Sequence, residues 1–230
     1  MHTKYCTLRY VGENSMKLCL LRILNSLKFI IVKFSRNLYN RMRFGKFAPK
    51  YGEKILVYPD TDCIYYGKKN NQYGRIHSGK VMNISSITKD AYNFQNNRKF
   101  IFMHKHFVEG LSWEESGAYQ WMVNVVDKGR TVDGIKSFQE ITERYNDLDE
   151  TFKTVKINHK LNSTFSPVLH IGPDSILYFG HGGGAHRLAI AIILNIPFQA
   201  TVGAIDSNAL DYFKMLRERL TRPPIISQSE

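Results

Sequence analysis

The strongest local constraint in this chain of 230 residues is one run: Leu177-Tyr178-Phe179-Gly180-His181-Gly182-Gly183-Gly184-Ala185-His186-Arg187-Leu188-Ala189-Ile190-Ala191. Ser175 to Phe179 is a short apolar stretch with the length of a buried strand. Gly180, Gly182, Gly183 and Gly184 then free the backbone for positive φ and for close approach of a ligand. His186 and Arg187 open an apolar segment that reads as a helix to about Leu194. A helix start leaves unpaired N–H groups and the positive end of the dipole. With a His and an Arg added, strand, glycine turn and helix make a phosphate cradle.

Charge is distributed unevenly. Residues 1–50 carry 11 Lys and Arg against Glu13 alone, a net +10 of the total +12. The remaining 180 residues are close to neutral. The basic character therefore belongs to an N-terminal arm, which suits anionic lipid or nucleic acid. From about Ser15 to Arg43 the arm has helical periodicity. Cys19, Leu20, Ile23, Leu24, Leu27, Ile30, Ile31, Phe34, Leu38 and Met42 share one half of the helical wheel, and Lys17, Arg22, Asn25, Ser26, Lys28, Lys33 and Arg36 the other, onto which Leu18, Leu21, Phe29 and Val32 spill. Arg22, Lys28 and Lys33 interrupt what would otherwise be a spanning segment. Three readings stand for residues 15–43: a spanning helix interrupted by these charges, a basic amphipathic helix on an anionic membrane surface, or a helix packed on its own domain or a partner. No small-residue cleavage site follows the apolar run, so a signal peptide is not expected. Cys6, Cys19 and Cys63 form neither a disulfide framework nor a metal cluster, which suits a reducing, cytoplasmic setting.

Beyond Gly45 and Pro49 the pattern is mixed α/β. The expected units are the basic arm 1–50, a domain over 51–222 and a tail over 223–230. Ile55 to Tyr58 reads as a strand and 66–74 as a polar loop. Arg75 to Met82 reads as a short strand or an irregular turn. The Asn-rich piece around Asn93, Asn96 and Asn97 has few order signals. His104 and His106 lack a third ligand and read as surface or core residues. Ser112-Trp113-Glu114-Glu115 has capping-box spacing, which predicts a helix from there to about Lys128. Ser137-Phe138-Gln139-Glu140 repeats the device. The helix it opens places Ile141, Tyr145, Leu148, Phe152 and Val155 on one stripe, with Asp147 and Asp149 off it on a solvated face. Val168 to Ile171 and Ile176 to Phe179, joined by Gly172-Pro173-Asp174, read as a hairpin. Pro197 starts a strand to about Ala204, and Asp206 or Ser207 caps a last helix, Asn208 to Leu220.

The segment from Val168 to Ala204, with Phe179-Gly180-His181-Gly182-Gly183-Gly184-Ala185-His186-Arg187, an Ala-rich helix, Ile196-Pro197 and a strand, resembles the ParB/sulfiredoxin-like superfamily. A looser resemblance to uncharacterised ParB-like proteins takes in Arg43-Phe44-Gly45 to Pro59, Phe107-Val108-Glu109-Gly110 with Ser112 to Glu115, and Arg144-Tyr145-x-x-Leu148-Asp149. The resemblance implies a ParB/sulfiredoxin-like α/β domain, with inserted helices and the N-terminal amphipathic helix added to it. It also implies nucleotide phosphates held at the helix start by Gly183, Gly184, His186 and Arg187. Ala185 stands where sulfiredoxin has its catalytic cysteine, which excludes sulfinic-acid repair. About 25 residues follow Ile205, too few for the helix-turn-helix region of partition proteins.

The expected binding set is therefore Gly182, Gly183, Gly184, His186 and Arg187. The ligand would be ATP or another nucleotide with Mg²⁺, or a phosphorylated small molecule. Phosphoryl transfer or nucleotide hydrolysis would also need a carboxylate, for which Glu114 and Glu115 are candidates, and His186 is an acid-base candidate. His181 and His186 lack a third ligand, so no metal site is expected. The rival readings are a DNA-associated accessory protein acting through the basic arm and a non-catalytic membrane-peripheral binding protein.

Overall fold

Short apolar stretches and capped amphipathic segments assemble into a mixed sheet flanked by helices. The computed structural model describes residues 13–67, 74–161, 166–180 and 184–221, with the side chains of α1 described from Leu24 onward except Asn25. The strands are β1 (Lys54–Val57), β2 (Ile64–Tyr66), β3 (Tyr92–Asn93), β4 (Val168–Ile171), β5 (Leu177–Phe179) and β6 (Phe198–Ile205). They form one sheet in the order β1-β6-β4-β5-β2-β3. β6 runs parallel to β4 and β2 parallel to β5, while the β1–β6, β4–β5 and β2–β3 pairs are antiparallel. The helices are α1 (Glu13–Phe44), α2 (Ser85–Thr88), α3 (Arg98–Phe107), α4 (Ala118–Asp127), α5 (Phe138–Asn158), α6 (Ala185–Ile193) and α7 (Leu210–Glu218). The fold is mixed α/β, as the sequence pattern predicts.

The sheet is covered on both faces at its centre. Every residue of β4 is buried. In β5, Leu177 and Phe179 join the main core, whereas Tyr178 packs on the other face with Ile84, Ile87 and Ala204. This alternation is the period of two expected of a strand. On the main-core side α6 buries Leu188, Ala189, Ile190 and Ala191 completely. Burying its two large side chains, Leu188 and Ile190, contributes about 1.5–3 kcal/mol each. The predicted stripe of α5 is also buried in full. Its capping box forms as expected, with Glu140 N–H donating to Ser137 Oγ and Ser137 N–H to Glu140 Oε2.

Several expectations are corrected. The Ser112–Glu115 box makes its contacts, at 3.1 and 2.8 Å, yet closes a single turn. Gly117 then enters the left-handed region at φ +83°, and α4 starts only at Ala118. The chain is diverted because Trp113 is drawn into the core, stacked between His106 at 4.0 Å and Tyr145 at 4.5 Å. The Asn-rich piece is ordered by the asparagines themselves. Asn93 caps a 3₁₀ turn and Asn97 caps α3, a helix absent from the sequence reading. Asp149 is not a solvated residue, since Trp113 Nε1–H donates to it at 3.0 Å and His106 Nε2 lies 3.0 Å away. Tyr66 ends β2 instead of opening a loop, and residues 75–77 are a 3₁₀ turn.

The basic arm is not a separate appendage. The C-terminal half of α1 docks on the body through polar side chains. Asn40 is buried, and its amide donates to the Pro49 carbonyl at 2.7 Å and the Gly79 carbonyl at 2.8 Å. Arg36 donates to the carbonyls of Ile76 and Ser78, both at 3.1 Å. Asn37 Oδ1 accepts from Tyr51 N–H at 2.7 Å. Replacing Asn40 by Ala would strand two carbonyls and cost about 1–3 kcal/mol. The expected result is a lower urea midpoint with an unchanged far-ultraviolet spectrum, and a midpoint equal to wild type would remove Asn40 as the anchor.

Candidate functional site

Charged side chains from several elements converge where α6 begins. A cavity of about 460 Å³ opens there, lined by Tyr66, Phe179 and Gly180 from the sheet and by Asn97 and Lys99 from the start of α3. Asp133 and, from α5, Arg144, Leu148 and Thr151 form the opposite wall, and Gly184, Ala185, His186, Arg187 and Ile190 complete it. Its size falls within the range of about 300–1,000 Å³ usual for ligand pockets.

Gly184 is the N-cap of α6 at φ +99°. A side chain there would be strained, and its Cβ would meet Pro167 Cα at 3.0 Å. Gly184 is thus required by the left-handed entry into α6, whose start lines the cavity. Gly180 has a different reason to be glycine. It is not in the left-handed region, but a Cβ there would overlap the buried ring of His170 in β4. Gly203 in β6 makes room for the same ring. Ala204 N–H donates to His170 Nδ1 at 2.8 Å. Gly180 is therefore explained by packing inside the sheet, not by ligand approach. Gly182 and Gly183, with His181, lie outside the described residues.

The electrostatics are dominated by cations. Lys99 Nζ donates to Asp133 at 2.6 and 2.8 Å. Asp133 sits at φ 56° in the turn Val132–Ile135. Burial alone would push its carboxyl up, but the cations Lys99 and Arg144 outweigh that and hold it below the usual carboxylate range. Arg144 Nη2 donates to His186 Nδ1 at 3.1 Å. A guanidinium is donor-only, so Nδ1 is the acceptor and the ring proton is on Nε2. His186 is 13% exposed and lies 3.9 Å from Asp133, too far for a hydrogen bond. Burial first, and then the nearby Lys99, Arg144 and Arg187, drive its pKa from 6.5 down to about 3, against the pull of Asp133. The ring is neutral at pH 7, so the contact with Asp133 is no ion pair. An acid-base role for His186 near neutrality is not supported by a group titrating so low.

Arg187 lines this cavity and two adjoining ones that also include Lys160. Burial, then Arg144 and Arg75, make its protonated form harder to keep. Lys54 is affected similarly, by burial and then by Arg75. Its ammonium donates to Ser166 Oγ at 2.6 Å and Thr201 Oγ1 at 3.0 Å. Arg144 Nε is buried with no hydrogen-bond partner among the described residues. Cations are thus crowded together with Asp133 as the one acidic residue lining the cavity among the described residues.

Of the residues expected to bind, Gly184, His186 and Arg187 line the cavity. The carboxylate candidates do not. Glu114 and Glu115 are exposed and outside its lining, and Glu115 closes its own turn on Ser112. Asp133 is the acidic group actually present. Arg144 was visible in the sequence as part of the Arg-Tyr-x-x-Leu-Asp motif, and the Asp133-Gly134 pair as a turn signal. Nothing in the sequence marks Lys99. No cluster of three His, Cys, Asp or Glu side chains suited to a metal ion occurs among the described residues. Comparison of the chain with protein-family models, with curated proteins and with solved structures finds no match.

Two outcomes follow from this geometry. Gly180→Ala should lose about 1–3 kcal/mol of folding stability through overpacking against His170, read as a lower urea midpoint. An unchanged midpoint would mean the ring can move aside. For His186, the unfolded chain takes up a proton near 6.5 and the folded one only near 3. Between those values the unfolded state binds more protons, so the stability the neutral ring contributes is present above that window and lost as pH falls through it. The His186 Cε1 proton resonance should stay flat from about pH 8 to 5. A midpoint near 6.5 would show the ring to be solvated.

Proposed function

We propose that this cavity binds the phosphate group of a nucleotide or of another phosphorylated small molecule. The observation that carries the reading is the crowding of Arg144 and Arg187 beside Lys99 at the start of α6, with Asp133 as the one acidic lining residue among those described. Bringing guanidinium groups together out of water is unfavourable unless an anion joins them. A phosphate accepts paired N–H donors from arginine, and the positive end of the α6 dipole adds to the attraction. Neutral His186 can donate through Nε2 without bringing another positive charge. The order β5, turn, α6, β6 supports a ParB/sulfiredoxin-like arrangement, in which phosphates sit at this helix start.

Asp133 is the acidic lining residue available to a Mg²⁺ carried in by the phosphates, a usual mode of binding for that ion. It is committed to Lys99 and held strongly ionised, which makes it a poor proton acceptor. Binding, by positioning and charge neutralisation, is therefore favoured over phosphotransferase or hydrolase chemistry.

Calorimetric titration with ATP, ADP, CTP, GTP and inorganic phosphate, with Mg²⁺ and with EDTA, tests the reading. Wild-type protein should bind at least one of them, more weakly as salt rises. Arg144→Ala and Arg187→Ala should each weaken binding roughly tenfold to a hundredfold, as expected for loss of a charge-assisted hydrogen bond. Absence of binding by the wild type would overturn the proposal, and binding that survives both substitutions would place the ligand elsewhere.

A further inference from the structure

Helix α1 docks with the wrong side for a helix seeking an apolar core. Its contacts to the body run through Arg36, Asn37 and Asn40, the polar edge described above. At about 100° per residue, Leu24, Leu27, Ile31, Phe34, Leu38 and Met42 fall on the side away from Asn40. Their spacings of 3, 4, 3, 4 and 4 mark one continuous stripe. The stripe is open to solvent: Leu24 is 58% exposed, Ile31 66%, Phe34 71% and Met42 79%. Six such side chains present apolar area on the order of several hundred Å², the size at which an exposed patch marks an interaction site.

Cations border the stripe. Lys28 lies on one side of it and Arg41 on the other. Between α1 and residues 45–50 is a groove of about 730 Å³ with Ile30, Phe34 and Leu38 on its apolar side. Lys33, Arg41, Lys46 and Lys50 also line it. Phe47 beside them is 57% exposed. Residues 14–52 contain no Asp or Glu. An apolar strip edged by cations matches the bilayer interface, where acyl chains meet anionic headgroups. A second copy fits poorly, because pairing two such faces would bring lysines and arginines together without acidic partners. Nucleic acid would satisfy the cations and leave the stripe in water. No helix among the described residues is long and apolar enough to cross a membrane, so the fit is to a surface.

We infer that the protein docks on anionic lipid bilayers through the outward face of α1, with Leu24, Leu27, Ile31, Phe34, Leu38 and Met42 entering the interface and Lys28, Arg41, Lys46 and Lys50 meeting the headgroups. This surface is independent of the phosphate cavity. Anchoring of α1 by Asn40 fixes how the body sits on the bilayer.

The test is co-sedimentation of the full chain with vesicles of phosphatidylcholine alone and with about one third phosphatidylserine added. Binding should be roughly tenfold or more stronger with the anionic lipid and should fall with salt. Ile31→Glu/Phe34→Glu should abolish it. Both positions are solvent-exposed, so the double variant should keep the wild-type circular dichroism spectrum and urea midpoint. Lys28→Ala/Arg41→Ala/Lys46→Ala should reduce the preference for phosphatidylserine roughly tenfold or more. Three results would overturn the inference. One is equal binding to both vesicles, or none. Another is a dimer in sedimentation equilibrium that Phe34→Glu dissociates while vesicle binding is unaffected. The third is tight DNA binding retained by Ile31→Glu/Phe34→Glu in place of vesicle binding.

Discussion

Burial of α6 against the sheet is the constraint from which the rest of the molecule follows. Leu188, Ala189, Ile190 and Ala191 have no exposure, so the helix cannot slide or turn without opening the core. Its start is therefore fixed beside the end of β5, where Gly184 makes the left-handed entry. The strand end is set in turn by the β4–β5 hairpin, whose central residue His170 fills the space that Gly180 and Gly203 leave. One packed unit thus determines where the dipole of α6 points. The walls of the cavity come from elsewhere in the chain, α3, the turn at Asp133 and α5, each held by its own buried residues.

That arrangement places charge where desolvation acts on it. His186 loses its proton affinity because a nearly buried imidazolium beside Lys99, Arg144 and Arg187 would be unfavourable. Asp133 shows the converse, with neighbouring cations overriding the burial that would otherwise neutralise it. The site is left with excess positive charge and a neutral donor. Such a balance serves the holding of an anion better than the movement of protons. Helix α1 is held by a different set of contacts. Its polar edge is satisfied by backbone carbonyls of the body, and its apolar stripe is left outward.

The sequence carried a good part of this. The hairpin, α6, β6 and α5 were legible because each has a period, a cap or a turn residue that local physics enforces. The Ser112–Glu115 box misled because its contacts are local, while the burial of Trp113 against His106 and Tyr145 is not. β2, β3 and α3 were missed because two- and three-residue strands have too little pattern, and α3 relies on Asn97 and on packing against α6. In the site, Arg187, His186 and Gly184 were readable from one contiguous motif. Lys99, Asp133 and Arg144 come from three distant segments and had no shared signal.

The sequence by itself determined the strand–glycine–helix unit, the alternation of buried faces and the concentration of positive charge in the first 50 residues. These depend on neighbours along the chain. Only the tertiary structure decided that Gly180 yields to His170, that Asp133 and not Glu114 or Glu115 is the carboxylate of the cavity, and that α1 turns its apolar stripe outward. Each of those depends on which side chains are brought together from afar, and on how much water is removed when they meet.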